Sequence, residues 1–172
     1  TADPELVINR ALRTYLQKGY SGEWVNQRLK SIEIRKALTD EWEMRGVKEG
    51  LEFAILTDEI TKAWSGLATK EYKKFKGLKK ENLRDNMTNL ELVLNMLAET
   101  ATTEISEKRE PKDFAENTTI AREGGLVAGN ARKDIETKTG KSVITPRNVK
   151  SLQNKERGKF CRVINKNRLK KN

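Results

Sequence analysis

The sequence predicts an all-α protein, a compact bundle of about six helices that includes a helix-turn-helix-like segment and ends in a basic C-terminal tail. Two observations carry this. Apolar residues recur at steps of three or four over long stretches, as one buried helical face requires. Those stretches begin at capping residues and end at glycines. The clearest follows Thr88, which with Glu91 fits a capping box. Leu90, Leu94, Leu97, Ala101 and Ile105 then recur at helical spacing and predict a helix from about Asn89 to Glu107.

Taken in order, Asp3 before Pro4 opens a first helix, because Asp accepts from exposed N–H groups and Pro has none to waste at the first helical position. Leu6, Ile8, Leu12, Tyr15 and Leu16 form its apolar face as far as Lys18, and Gly19 stops it. Ser21 caps a second helix carrying Trp24, Val25, Leu29 and Ile32. A later stripe of Ile34, Leu38 and Trp42 drifts around the axis, so either one helix reaches Arg45 or a break falls at Thr39-Asp40, with Gly46 ending both. Trp24 and Trp42 are expected in the core, with partner-binding anchors as the competing reading.

Between Val47 and Leu56 the run FAIL fits a buried helical turn or a short strand. Thr57, followed by Asp58 and Glu59, has the form of an N-cap for a helix that buries Ile60, Ala63 and Trp64 and stops at Ser65-Gly66. Thr69 caps a short helix expected to turn Tyr72 and Phe75 inward and to close at Gly77, which completes the helix-turn-helix outline. Beyond the central helix Pro111 marks a break. A last helical region, about Lys112 to Lys138, lines up Phe114, Thr118, Ala121, Gly125, Ala128 and Ile135. Its small residues Gly124, Gly125, Ala128 and Gly129 predict a kink at Gly124-Gly125 or a tight packing site, and offer a face for self-association into a homo-oligomer. Val143 to Thr145, ahead of Pro146, should be extended.

A chain of 172 residues is about one domain. Residues 2–148 are read as the helical domain and 149–172 as the basic tail. Charged residues make up 35% and aromatics 6%, so the core must be modest and mostly aliphatic. No signal-like segment or long uncharged apolar run is present, which points to a soluble cytoplasmic protein without membrane contact. Cys161 is the single cysteine and fits a reducing compartment. The chain has no histidine, which removes the Ser-His-Asp triad, the Cys-His dyad and the common zinc sites together. Asp40, Glu41 and Glu43 are expected on a solvated helix face instead of holding a metal. Gly140-Lys141-Ser142 has the end of a P-loop, but Ile135 stands where that motif needs glycine. GGLVAG lacks the preceding strand of a dinucleotide loop. No enzyme, cofactor or metal is therefore expected.

The net charge of +10 is unevenly placed. Residues 62–80 carry +6 and residues 150–172 carry +8, which leaves the remainder near −4. Local patches of this kind bind polyanions. Lys70, Lys73, Lys74 and Lys76 are expected to spread over the outward side of the short helix, with Lys79, Lys80 and Arg84 following. Such a cluster serves phosphate contact, an acidic protein partner or plain solvation; base-edge readout lacks outward Arg, Asn or Gln. The tail reads as a solvated segment, an arm that orders on nucleic acid, or a contact for an acidic protein.

The run Lys76 to Glu99 and the string ENTTIAREGGLVAGNARKDIETKTGKSVIT, from Glu116 to Thr145, resemble the C-terminal region of two related groups. These are the phage antirepressor proteins of the BRO type and the bacterial DNA-damage-inducible protein D. The resemblance covers roughly residues 2–150 and contains no catalytic signature. It implies a regulatory protein of phage or prophage origin, in a bacterial host cell, that binds a repressor or a recombinase. In such proteins a separate N-terminal BRO domain is the part expected to hold DNA. The chain opens at Thr1 and is expected to lack that domain. Direct nucleic-acid binding through the 62–80 patch and the tail is thus the alternative, resting on charge placement alone.

Overall fold

The computed structural model describes residues 4–148. Six α-helices follow one another there: α1 (Pro4–Gln17), α2 (Gly22–Met44), α3 (Leu51–Ser65), α4 (Thr69–Phe75), α5 (Asn89–Arg109) and α6 (Phe114–Thr139). A 3-10 turn at Arg84–Asn86 precedes α5, and no strand occurs among the described residues. The all-α bundle expected from periodicity is therefore the observed fold. The readings placed on the tail, Cys161 included, lie outside the described residues.

α5 is the central element, packed against α2, α3 and α6, while α6 also lies along α3 and α1 rests mainly on α2. Trp24, Trp42, Trp64 and Tyr72 are buried, together with Leu38, Leu56, Ile60, Met87 and Leu92. Trp24 and Trp42 are thus core residues, and the Trp24 indole N–H donates to the Met87 carbonyl at 3.0 Å. Tyr20 stacks on Trp24 with ring centroids 4.2 Å apart.

Several local expectations change in the folded chain. α2 runs unbroken through Thr39, whose hydroxyl donates back to the Arg35 and Lys36 carbonyls and so never competes with the helix. α3 begins at Leu51, so the FAIL run is helical and Thr57 is an interior residue; its hydroxyl donates to the Phe53 carbonyl at 2.6 Å. Phe75 is exposed, because Tyr72 alone of that pair faces the core.

In α5 the capping box forms: Thr88 Oγ1 accepts from the Glu91 N–H and Glu91 Oε2 accepts from the Thr88 N–H. Its buried face is nevertheless rotated from the expected stripe. Leu90 and Leu97 are 40% and 38% exposed, whereas Glu91, Asn95, Glu99, Thr102 and Ser106 are buried at steps of three and four. The reason is the partners on the other helices. Ser106 donates to Glu41 at 2.8 Å, and Glu99 takes hydrogen bonds from Arg35 and Arg84. Glu41 accordingly leaves the solvated face assigned to it and is buried beside Arg45.

α6 shows no interruption at Gly124-Gly125. A Cβ on Gly124 would stand 2.7 Å from Thr102 Cα in α5, and one on Gly129 would stand 2.6 Å from the Ala63 carbonyl oxygen in α3. The glycines let two backbones approach α6 at once. The small residues Gly124, Gly125, Ala128 and Gly129 are thus buried inside the chain itself, while Leu126 and Val127 between them are exposed. Past α6, residues 142–148 form no regular element, yet Val143 and Ile144 are buried against the core.

Candidate acidic-partner interface

α3 and α4 meet at Gly66, whose φ of 83° is a left-handed conformation that glycine adopts at no steric cost. Asp58 holds the junction, its Oδ1 accepting from the Thr69 N–H at 2.6 Å. Between these helices and α2 lies an open groove of about 690 Å³. Phe53, Ala54 and Ile55 give it an apolar floor, and Arg35, Lys70, Lys73 and Lys79 stand around it. Thr57, Asp58 and Thr69 complete the lining, so four cations face one carboxylate already engaged at the junction.

Arg35 is the groove residue that reading the sequence missed. Its guanidinium lies over the Trp42 ring at 5.0 Å, donates to Thr57 Oγ1 at 2.5 Å and to Glu99 Oε1 at 3.3 Å. Burial pulls its pKa below the usual guanidinium range, and the Glu99 charge opposes that shift. The available signal was phase: Arg35 stands three and seven positions before Leu38 and Trp42, on their side of the helix.

Of the expected basic cluster, Lys70, Lys73 and Lys79 line this groove. Lys74 and Lys80 are exposed and lie outside its lining. Lys76 is not on the outward side. Its side chain is buried and its Nζ donates to Glu91 Oε2 at 2.9 Å and to the carbonyls of Thr145 and Arg147 at 2.9 and 2.8 Å. The cause is again phase, since Lys76 follows Tyr72 by four positions and shares its inward face. Burial lowers the Lys76 pKa, with Glu91 acting to raise it. Arg84 is half-buried and turned inward, its guanidinium bonded to Glu99. Among the described residues no cluster of three or more metal-ligating side chains occurs, and no helix is long and apolar enough to cross a membrane. Among family models, curated proteins and solved structures, none matches this chain.

Proposed function

We propose that the chain is a regulatory binding module that holds an acidic, amphipathic segment of a protein partner in the groove between α2, α3 and α4. The supporting observation is the pairing of an apolar floor, Phe53 to Ile55, with the cations Arg35, Lys70, Lys73 and Lys79. A phosphodiester backbone uses only the cations, whereas a segment that alternates carboxylates with apolar side chains uses both. The sequence resemblance favours a repressor or recombinase of a phage or prophage system as the owner of that segment.

The test is fluorescence anisotropy with a labelled peptide that alternates acidic residues with Leu and Phe, and with a DNA duplex, from about 50 to about 200 mM salt. The peptide should bind, and Ile55→Asp or the combined Lys70→Glu, Lys73→Glu should weaken it by at least about tenfold. Lys74 and Lys80, exposed beyond the groove in the same basic stretch, favour the second reading, direct contact with a nucleic-acid backbone. A duplex that outcompetes the peptide, with a steep salt dependence untouched by Ile55→Asp, would put that second reading in place of the first.

A further inference from the structure

Inward of the groove lies a smaller chamber of about 140 Å³ that shares Thr57, Thr69 and Lys73 with it. Leu83, Arg84 and Asn95 are among the residues that close it, and among the described residues no Asp or Glu lines it. Three polar atoms of its lining residues are buried without a hydrogen-bond partner among the described residues: Thr69 Oγ1, Arg84 Nε and Asn95 Nδ2. Asn95 is only 2% exposed. The guanidinium Nε–H and the amide N–H₂ are donors with no acceptor capacity, and the hydroxyl donates as readily as it accepts. A fold that buries donors without acceptors carries a cost that an acceptor-rich ligand removes.

Charge points to the same ligand. The lining carries two cations, Lys73 and Arg84, and the one carboxylate that Arg84 leans on, Glu99, is shared with Arg35 from outside the lining. Glu99 Oε2, an acceptor that also has no partner, belongs to a residue outside the chamber's lining. A water molecule accepts from two donors but leaves the excess positive charge standing. An anion with several oxygens answers both deficits. At about 30 Å³ per water, the chamber has room for a tetrahedral oxyanion and a little solvent.

We propose that this chamber is an oxyanion site that takes a phosphate group, held by Asn95, Arg84, Thr69 and Lys73. The phosphate is either a free ion or the head of a ligand whose body lies on the Phe53 to Ile55 floor. The chamber shares Thr57, Thr69 and Lys73 with the outer groove, so a ligand whose body lies on that floor would compete with the protein segment proposed there, whereas a free ion would not need the floor.

The experiment is a titration of the full chain with inorganic phosphate at constant ionic strength, followed by the side-chain amide signal of Asn95, the Nε–H signal of Arg84 and the melting temperature. Phenyl phosphate forms the second arm. Both signals should shift saturably, with a rise in melting temperature, and Lys73→Gln should weaken binding by at least about tenfold. Equal affinity for the two probes assigns a free ion, and tighter binding of phenyl phosphate assigns the head of a larger ligand. Arg84→Lys, which keeps the charge but loses the Nε–H, should weaken both. Signals that stay put up to roughly 10 mM phosphate, or a response indifferent to Lys73→Gln, would overturn the assignment and leave the chamber to water.

Discussion

Glu91, shielded from water, accepts hydrogen bonds from the Tyr72 hydroxyl at 2.6 Å, Lys76 Nζ at 2.9 Å, the Thr88 N–H at 2.7 Å and the Thr145 N–H at 3.4 Å. One carboxylate thereby caps α5, anchors the end of α4 and ties down the segment after α6. Removing one member of a buried ion pair leaves the other charge unanswered, at about 3–5 kcal/mol. Lys76→Met should lower the unfolding free energy by that order in urea denaturation, whereas Lys70→Met, at an exposed position, should stay within about 0.5 kcal/mol. The three tyrosines extend the same logic to alkaline pH. Burial first, then the Asp85 charge, pushes Tyr20 from 10.0 up to about 12; burial first, then Glu91, raises Tyr72; and burial raises Tyr15. A phenol that holds its proton more tightly folded than unfolded gives stability that is complete below the unfolded value and is lost as pH climbs toward the folded one. Lys76, lowered by burial, contributes in the opposite sense as pH rises toward 10.5. These being the chain's only tyrosines, phenolate absorbance in an alkaline titration of the folded protein should lag behind that of free tyrosine, with Tyr20 titrating only toward about 12. A titration of the folded protein that coincided with that of free tyrosine would contradict this burial.

At the scale of the element, α6 illustrates how packing overrides propensity. Three interior glycines each cost about 1 kcal/mol relative to alanine in an isolated helix, yet α6 spans Phe114–Thr139 without interruption because α3 and α5 press on it where those glycines lie. Gly124→Ala should therefore destabilise by at least about 2 kcal/mol despite its better propensity, read as a lowered melting temperature. Trimming Thr102 to alanine should not restore the loss, since a new Cβ would also meet Thr102 Cα and N, each at 2.7 Å. Gly22→Ala, at the start of α2 with nothing within 4 Å, should be neutral or stabilising by up to about 1 kcal/mol. α5 teaches the companion lesson. Its cap was legible because a capping box is local, but the rotation of its buried face was not, because Glu91 and Glu99 are buried by cations on other segments.

For the molecule as a whole, the bundle is unevenly knit. α3, α5 and α6 form a tightly packed centre, while α1 leans chiefly on α2 and leaves Leu6, Val7, Ile8 and Leu16 exposed. Tyr15 is its main polar tie, donating to Asp85 Oδ1 at 2.9 Å beside the Arg28–Asp85 ion pair. Local opening follows the weakest packing, so amide hydrogen exchange should be markedly faster in α1 than in α5. Asp85→Asn, which weakens the tie to Tyr15 and Arg28, should speed exchange in α1 before that in α5. Equal protection of the two helices would mean that α1 shares the cooperative core.

Helix number, most helix ends, the α5 capping box and the core placement of Trp24, Trp42 and Trp64 were all determined by the sequence alone. They depend on periodicity and capping, which act over a few residues. The basic character of the 70–80 stretch was equally plain, but its division among roles was not. Only the tertiary structure turned Lys76 and Arg84 inward, left Lys70, Lys73 and Lys79 at a groove, and brought Arg35 to join them from a helix far away in the chain. A cation's fate depends on whether a buried carboxylate waits opposite it. That carboxylate sits on another helix, so its position is set by how helices pack and not by any pattern within one of them.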